Sequence, residues 1–145
     1  MKWLGMRLTF IAVSLLLVPF TVMAGVEYDA ESRLEEVMNL WSEGRYGELW
    51  DCGTNGTKAR VSREDFVWTM SRSPRIPDVG WMRERSMTAV AVKPTRVLLQ
   101  AEIGFIINGQ DKRETRVFQL VYEDDEWRIM LDEFAGLARP LVYGY

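Results

Sequence analysis

The sequence predicts an α+β domain in which N-terminal helices pack on a curved antiparallel four-stranded sheet, with an export signal ahead of it. Three observations carry that reading. Apolar residues recur with helical spacing before Ser73 and with strand spacing after Trp81. Asn108-Gly109 and Asp124-Asp125 sit between strand-like runs, where both residues of a tight hairpin turn must tolerate positive φ. No repeat or low-complexity linker divides residues 25–145, and strands that follow helices in a block, rather than alternating with them, specify α+β order in one domain.

The first 24 residues have the order of a secretory signal. Lys2 and Arg7 place positive charge before an uncharged, apolar-rich run from Leu8 to Phe20, and Thr21-Val22-Met23-Ala24 supplies small side chains for a signal peptidase. The cut is expected after Ala24. The alternative is an uncleaved anchor, because the run lies at the short end of the roughly 17 to 25 residues that span a bilayer. Gly25 follows the expected cut, so no cysteine stands there to take a lipid.

Beyond that segment a capping box, Ser32 to Glu35, is expected to open a helix. Leu34, Val37, Met38 and Trp41 share one face of it, and Gly44 stops it. Tyr46, Leu49 and Trp50 suggest a short second helix halted by a turn cluster from Gly53 to Gly56. A second box, Ser62 to Asp65, opens a third, with Phe66, Val67 and Met70 on its buried side; Pro74 bounds it.

Four strands then read from Met87 to Val92, Arg96 to Ile107, Arg113 to Tyr122 and Trp127 to Phe134. Val97, Leu99, Ala101, Ile103 and Phe105 share one face of the second. Phe118, Leu120 and Tyr122 do so in the third, as do Trp127, Ile129 and Leu131 in the fourth. These faces are expected to meet the helices.

Helices on a curved sheet, with a Trp opening the last strand, resemble the NTF2-like (cystatin-like α+β) superfamily. The likeness rests on Trp41, Gly44-Arg45-Tyr46, Leu49-Trp50, Ser62 to Phe66 and Trp127-Arg128-Ile129, and it spans nearly all of residues 25–145. It implies a cone between helices and sheet. In that superfamily the cone holds a small ligand, hosts isomerase or dehydratase chemistry, or is filled by side chains; fold alone does not choose among them.

Composition excludes more than any motif selects. No histidine occurs, which removes the commonest metal ligand and the usual base of nucleophilic triads, so no metal site or cofactor is expected. Cys52 is the only cysteine, so no internal disulfide can form. Without Lys2 and Arg7 the rest of the chain carries 16 basic against 21 acidic side chains, a balance that repels phosphate backbones and speaks against a nucleic-acid partner. A membrane association is expected only if the first segment stays uncut.

Candidate site residues fall into two groups. Trp41, Tyr46, Trp50, Phe66, Phe105, Phe118 and Tyr122 are rings that either line a pocket for a small apolar ligand or fill the core. Glu133 keeps step with Trp127, Ile129 and Leu131; it either turns toward the helices as a buried carboxylate or lies solvated beyond a frayed strand end. Arg72, Arg75, Arg83 and Arg85 flank the Pro-punctuated loop Ser73 to Gly80 and are candidates to grip an anion, or else a solvated face. Glu123 to Glu126 lacks the ligand spacing and glycine of a calcium loop and reads as a turn. Asn55-Gly56-Thr57 is a glycosylation acceptor in a host that modifies exported proteins, and otherwise a turn. Leu137 to Tyr145 either packs across the domain or offers a segment to a partner.

The expected function is that of an exported, noncatalytic binding or accessory module, associating with itself as a homodimer or with an envelope protein. Leu98, Val117, Val121 and Met130, out of phase with the core residues, form the expected contact patch. A carboxylate-based isomerase or hydrolase of small apolar molecules and a membrane-anchored component of an envelope assembly are the alternatives.

Overall fold

The computed structural model describes the backbone of residues 11–78, 87–131 and Phe134. Helices pack against an antiparallel sheet, the α+β arrangement expected. The first helix, α1, runs over Ile11–Ser42, well ahead of the expected start at Ser32. The Ser32–Glu35 pair therefore lies inside a helix instead of capping one. The reason is that Val26 and Ala30 continue the buried stripe of Leu34, Val37, Met38 and Trp41, so packing extends the helix through Gly25. It ends as expected: Gly44 takes φ +72°, while Gly44 N–H donates to Trp41 O and Arg45 N–H to Leu40 O, a Schellman closure. Among the described residues, no helix is long and apolar enough to cross a membrane.

Three short helices follow: α2 (Tyr46–Asp51), α3 (Asn55–Arg60) and α4 (Arg63–Ser71). The expected Gly53–Gly56 turn is in fact the entry to α3, because Thr54 accepts from Thr57 N–H and supplies the cap that the two glycines do not suggest. Ser62 caps α4 by accepting from Asp65 N–H at 3.1 Å, as its box predicts.

The sheet holds the four expected strands and one more. β1 (Ile76–Asp78) lies inside the segment expected to be a loop; Pro77 is tolerated there because β1 is a short edge strand. β2 (Thr88–Lys93) and β1 pair with opposite ends of one edge of β3 (Arg96–Ile107), and a bulge interrupts β2 between Ala89 and Ala91. The other edge of β3 carries β4 (Gln110–Glu123), which starts three positions earlier than Arg113 because the Asn108-Gly109 turn, with φ +51° and +76°, closes the ladder at once on Ile107 and Gln110. β5 (Glu126–Ile129) pairs with Leu120–Glu123 of β4. It is shorter than the expected run to Phe134, since the chain turns at Leu131 and Phe134 N–H donates back to Leu131 O.

The core lies where the α1 stripe meets Val97, Leu99, Ala101, Ile103, Phe105, Phe118, Leu120, Trp127, Ile129 and Leu131, all buried. Burying each large apolar side chain stabilises the fold by about 1.5–3 kcal/mol. Tyr122 departs from its expected inward role and is 42% exposed: it stands near the end of β4 with its ring roughly perpendicular to that of Trp127. Of the expected outer patch, Val117 is 41% exposed, whereas Leu98, Val121 and Met130 are half-buried. One backbone seam joins the layers: Thr54 N–H donates to Ile129 O and Ile129 N–H to Cys52 O.

Candidate functional site

The pocket-candidate rings separate into three places. Trp41, Phe105 and Phe118 are buried around Phe134, with centroid separations of 5.5 Å for Trp41–Phe105, 5.0 Å for Trp41–Phe134 and 5.8 Å for Phe118–Phe134. Tilted and edge-on contacts at those distances are favourable ring packing. Phe66 joins the same core, and Tyr46 and Trp50 are half-buried at its margin; Trp50 Nε1 donates to Val61 O at 2.9 Å and Lys58 lies over its ring. Tyr122 stands apart at the sheet end. Among the described residues, Trp41 Nε1 and Arg128 Nε have no hydrogen-bond partner. Glu133, Arg83, Arg85 and Leu137 to Tyr145 lie outside the described residues.

The two arginines that are described do different things. Arg72 stacks on Trp68 at the surface, 4.1 Å from its ring centroid. Arg75 is only 5% exposed and reaches across the inner face of the sheet to Glu114 at 3.4 Å, with Phe105 on its other side. Arg116 converges on the same carboxylate at 3.0 Å. Alternation of β4 explains the meeting: Glu114 and Arg116 share the inner face with Phe118 and Leu120.

A second polar cluster ties α1 to β5. Arg33 bonds Glu36 at 2.9 Å and Glu126 at 3.2 Å, and Arg128 bonds Glu126 at 2.8 Å while donating to Gly53 O. Asn55 joins from α3, donating its backbone N–H to Glu123 and its side-chain amide to Asp124. The Asn55 amide is thus engaged at the surface, and the Thr57 hydroxyl is buried.

Beside this cluster an open groove of about 560 Å³ lies between α1 and α2, lined by Ser32, Glu35, Asn39 and Glu43 on one side and Glu48 and Cys52 on the other. Carboxylates outnumber its single guanidinium, Arg45, which bonds Glu43 and Glu48. Hydrogen bonding from Arg45 holds Glu48 below the usual carboxylate range, so it stays an anion. Burial pushes the Cys52 thiol up, against the opposing pull of Arg33, which leaves it protonated and weakly nucleophilic. The groove was missed in the sequence, although Ser32, Glu35, Asn39 and Glu43 keep helical spacing on the face of α1 opposite its apolar stripe.

Among the described residues, no group of three or more acidic or thiol side chains is placed to hold a metal ion. What the site offers is paired charge, Arg45 with Glu43 and Glu48, beside a protonated Cys52 thiol. The chain matches no protein-family model and no curated protein.

Proposed function

We propose that the chain is an exported, noncatalytic binding or accessory module of NTF2-like fold that acts through its surfaces and associates with itself. The observation that carries this reading is the interior between helices and sheet, where Trp41, Phe105, Phe118 and Phe134 meet ring to ring. Side chains that fill the space by contact make a core, whereas a ligand site needs concave apolar surface left open. Export is supported by the charged, apolar and small-residue order of residues 1–24, and the NTF2-like assignment by helices laid on an antiparallel sheet whose last strand carries buried Trp127 as its second residue.

Titration with a panel of small apolar fluorophores and medium-chain fatty acids, followed by intrinsic tryptophan fluorescence, tests the surface-acting reading. No saturable response is expected. A one-to-one response at micromolar concentration would replace it with an internal ligand site. Intact-mass measurement of exported protein tests the leader, and loss of residues 1–24 is the expected result.

A further inference from the structure

We propose that two copies stack through the outer face of the sheet, the face turned away from the core, about a two-fold axis that runs across the strands between Leu98 and Gln100. The inference rests on the self-association reading above and names its surface and orientation.

The composition of that face follows from the ladders. β3 turns Val97, Leu99 and Ala101 into the core, so Arg96, Leu98, Gln100 and Glu102 point outward. Register carries the face across the sheet. Leu98 lies between Ala91 of β2 and Gln119 of β4, with Met130 beyond Gln119, and Gln100 lies between Thr88 and Val117. Neither row holds a charge, in a chain where 27% of residues are charged. Val117 is 41% exposed, and the bulge in β2 leaves Val90 51% exposed beside Ala91. A neutral, partly apolar centre of this kind is the composition of an interface core.

Charge at the two ends of the face selects the occupant and its orientation. On one side of the neutral rows Lys93 and Arg96, paired across the ladder and both exposed, make a cationic end. On the other side stands Glu102, and beyond it Asp111 offsets Arg113, which leaves that end net negative. A surface with one positive end, one negative end and a neutral middle is complementary to a reversed copy of itself. Stacked sheets of the aligned class keep their strands within about 30° of each other, which leaves two in-plane axes, one along the strands and one across them. The axis along the strands sets Arg96 against its own copy. The axis across them sets Arg96 of each copy against Glu102 of the other, twice, and closes Leu98, Gln100 and Val117 between the two contacts. Both outer faces are then covered, so the assembly stops at two.

Light scattering on a concentration series, with a thermal melt to check the fold of each variant, is the test. The wild type is expected to be a dimer. Val117→Lys, which places an unpaired charge in the neutral centre, should raise the dissociation constant about tenfold or more. Arg96→Glu and Glu102→Arg should each weaken the dimer similarly, and the double variant, with the contact rebuilt in reverse, should restore it. If Val117→Lys fails to fold, the reversal at exposed Arg96 decides the matter. A dimer unmoved by Val117→Lys and Arg96→Glu overturns the sheet face while leaving self-association standing. A dimer that the single reversals weaken and the double variant does not restore overturns the axis. A wild-type monomer at all concentrations overturns both readings.

Discussion

Thr54 and Thr57 share a hydroxyl-to-hydroxyl hydrogen bond of 2.7 Å beneath the start of α3, with both residues buried. Thr57 also donates its hydroxyl to Thr54 O and its N–H to Thr54 Oγ1, so two short side chains close the helix entry on each other. Thr54→Ala removes the cap and strands a buried donor, at a cost of about 1–2 kcal/mol. Chemical denaturation should show a lower midpoint at unchanged slope, and Thr54→Ser should recover most of the loss. An alanine variant as stable as wild type would mean that the cap contributes nothing.

Gly53 has no room for a side chain. A Cβ there would run into the Leu131 side chain and come within 3.0 Å of Trp50 O. Gly53→Ala should therefore destabilise by about 1–3 kcal/mol through crowding. Pairing it with Leu131→Ala should relieve part of that crowding, so the double mutant loses less than the sum of the two single losses, a non-additivity that denaturation measures directly.

For Cys52 the expectation concerns pH. Burial keeps the folded thiol protonated above the ordinary thiol pKa, so alkylation at neutral pH should run slower than that of an unstructured cysteine peptide, and its rise with pH should be displaced upward. Arg33→Ala removes the opposing cation and should displace it further. The sign for stability is the same: the contribution is full below the unfolded thiol's pKa and is lost as pH rises through the folded one. Labelling faster than the peptide at neutral pH would contradict the assignment.

The β4–β5 turn places Asp124 and Asp125 at φ +50° and +64°, where a side chain costs energy that glycine avoids. Asp124 is retained by Asn55 and Arg128, so relief is available at the second position. Asp125→Gly should stabilise by about 0.5 kcal/mol, the gain from relaxed φ exceeding the added chain entropy. A falling melting temperature would show that the entropy term wins.

Legibility in the sequence tracked the range of the interactions involved. Alternation placed Val97 through Phe105 correctly because a strand buried on one face writes its register residue by residue, and Gly44 marked the end of α1 because positive φ nearly names its residue. The start of α1 was hidden: Ser32 and Glu35 carry a cap signature, yet Val26 and Ala30 pack on the core, and long-range packing overrides a local signal. β1 was hidden by Pro77, and the first residues of β4 by their continuous charge. Of the site candidates, Arg75 was seen as a cation, but its burial was not, because Glu114 lies far along the chain and meets it only through strand pairing. The groove between α1 and α2 likewise depends on how two helices lie together, which no single stretch encodes.

The seam between Thr54 and Ile129 has a dynamic consequence. Because peptide groups from the helical half and from the last strand are donor and acceptor to each other, neither layer can open by itself without breaking these bonds. The amide protons of Thr54 and Ile129 should then exchange with deuterium only on whole-molecule opening, at the slowest rate in the chain, while those at the hairpin tips exchange early. Opening of the helical half and of the last strand is thereby coupled.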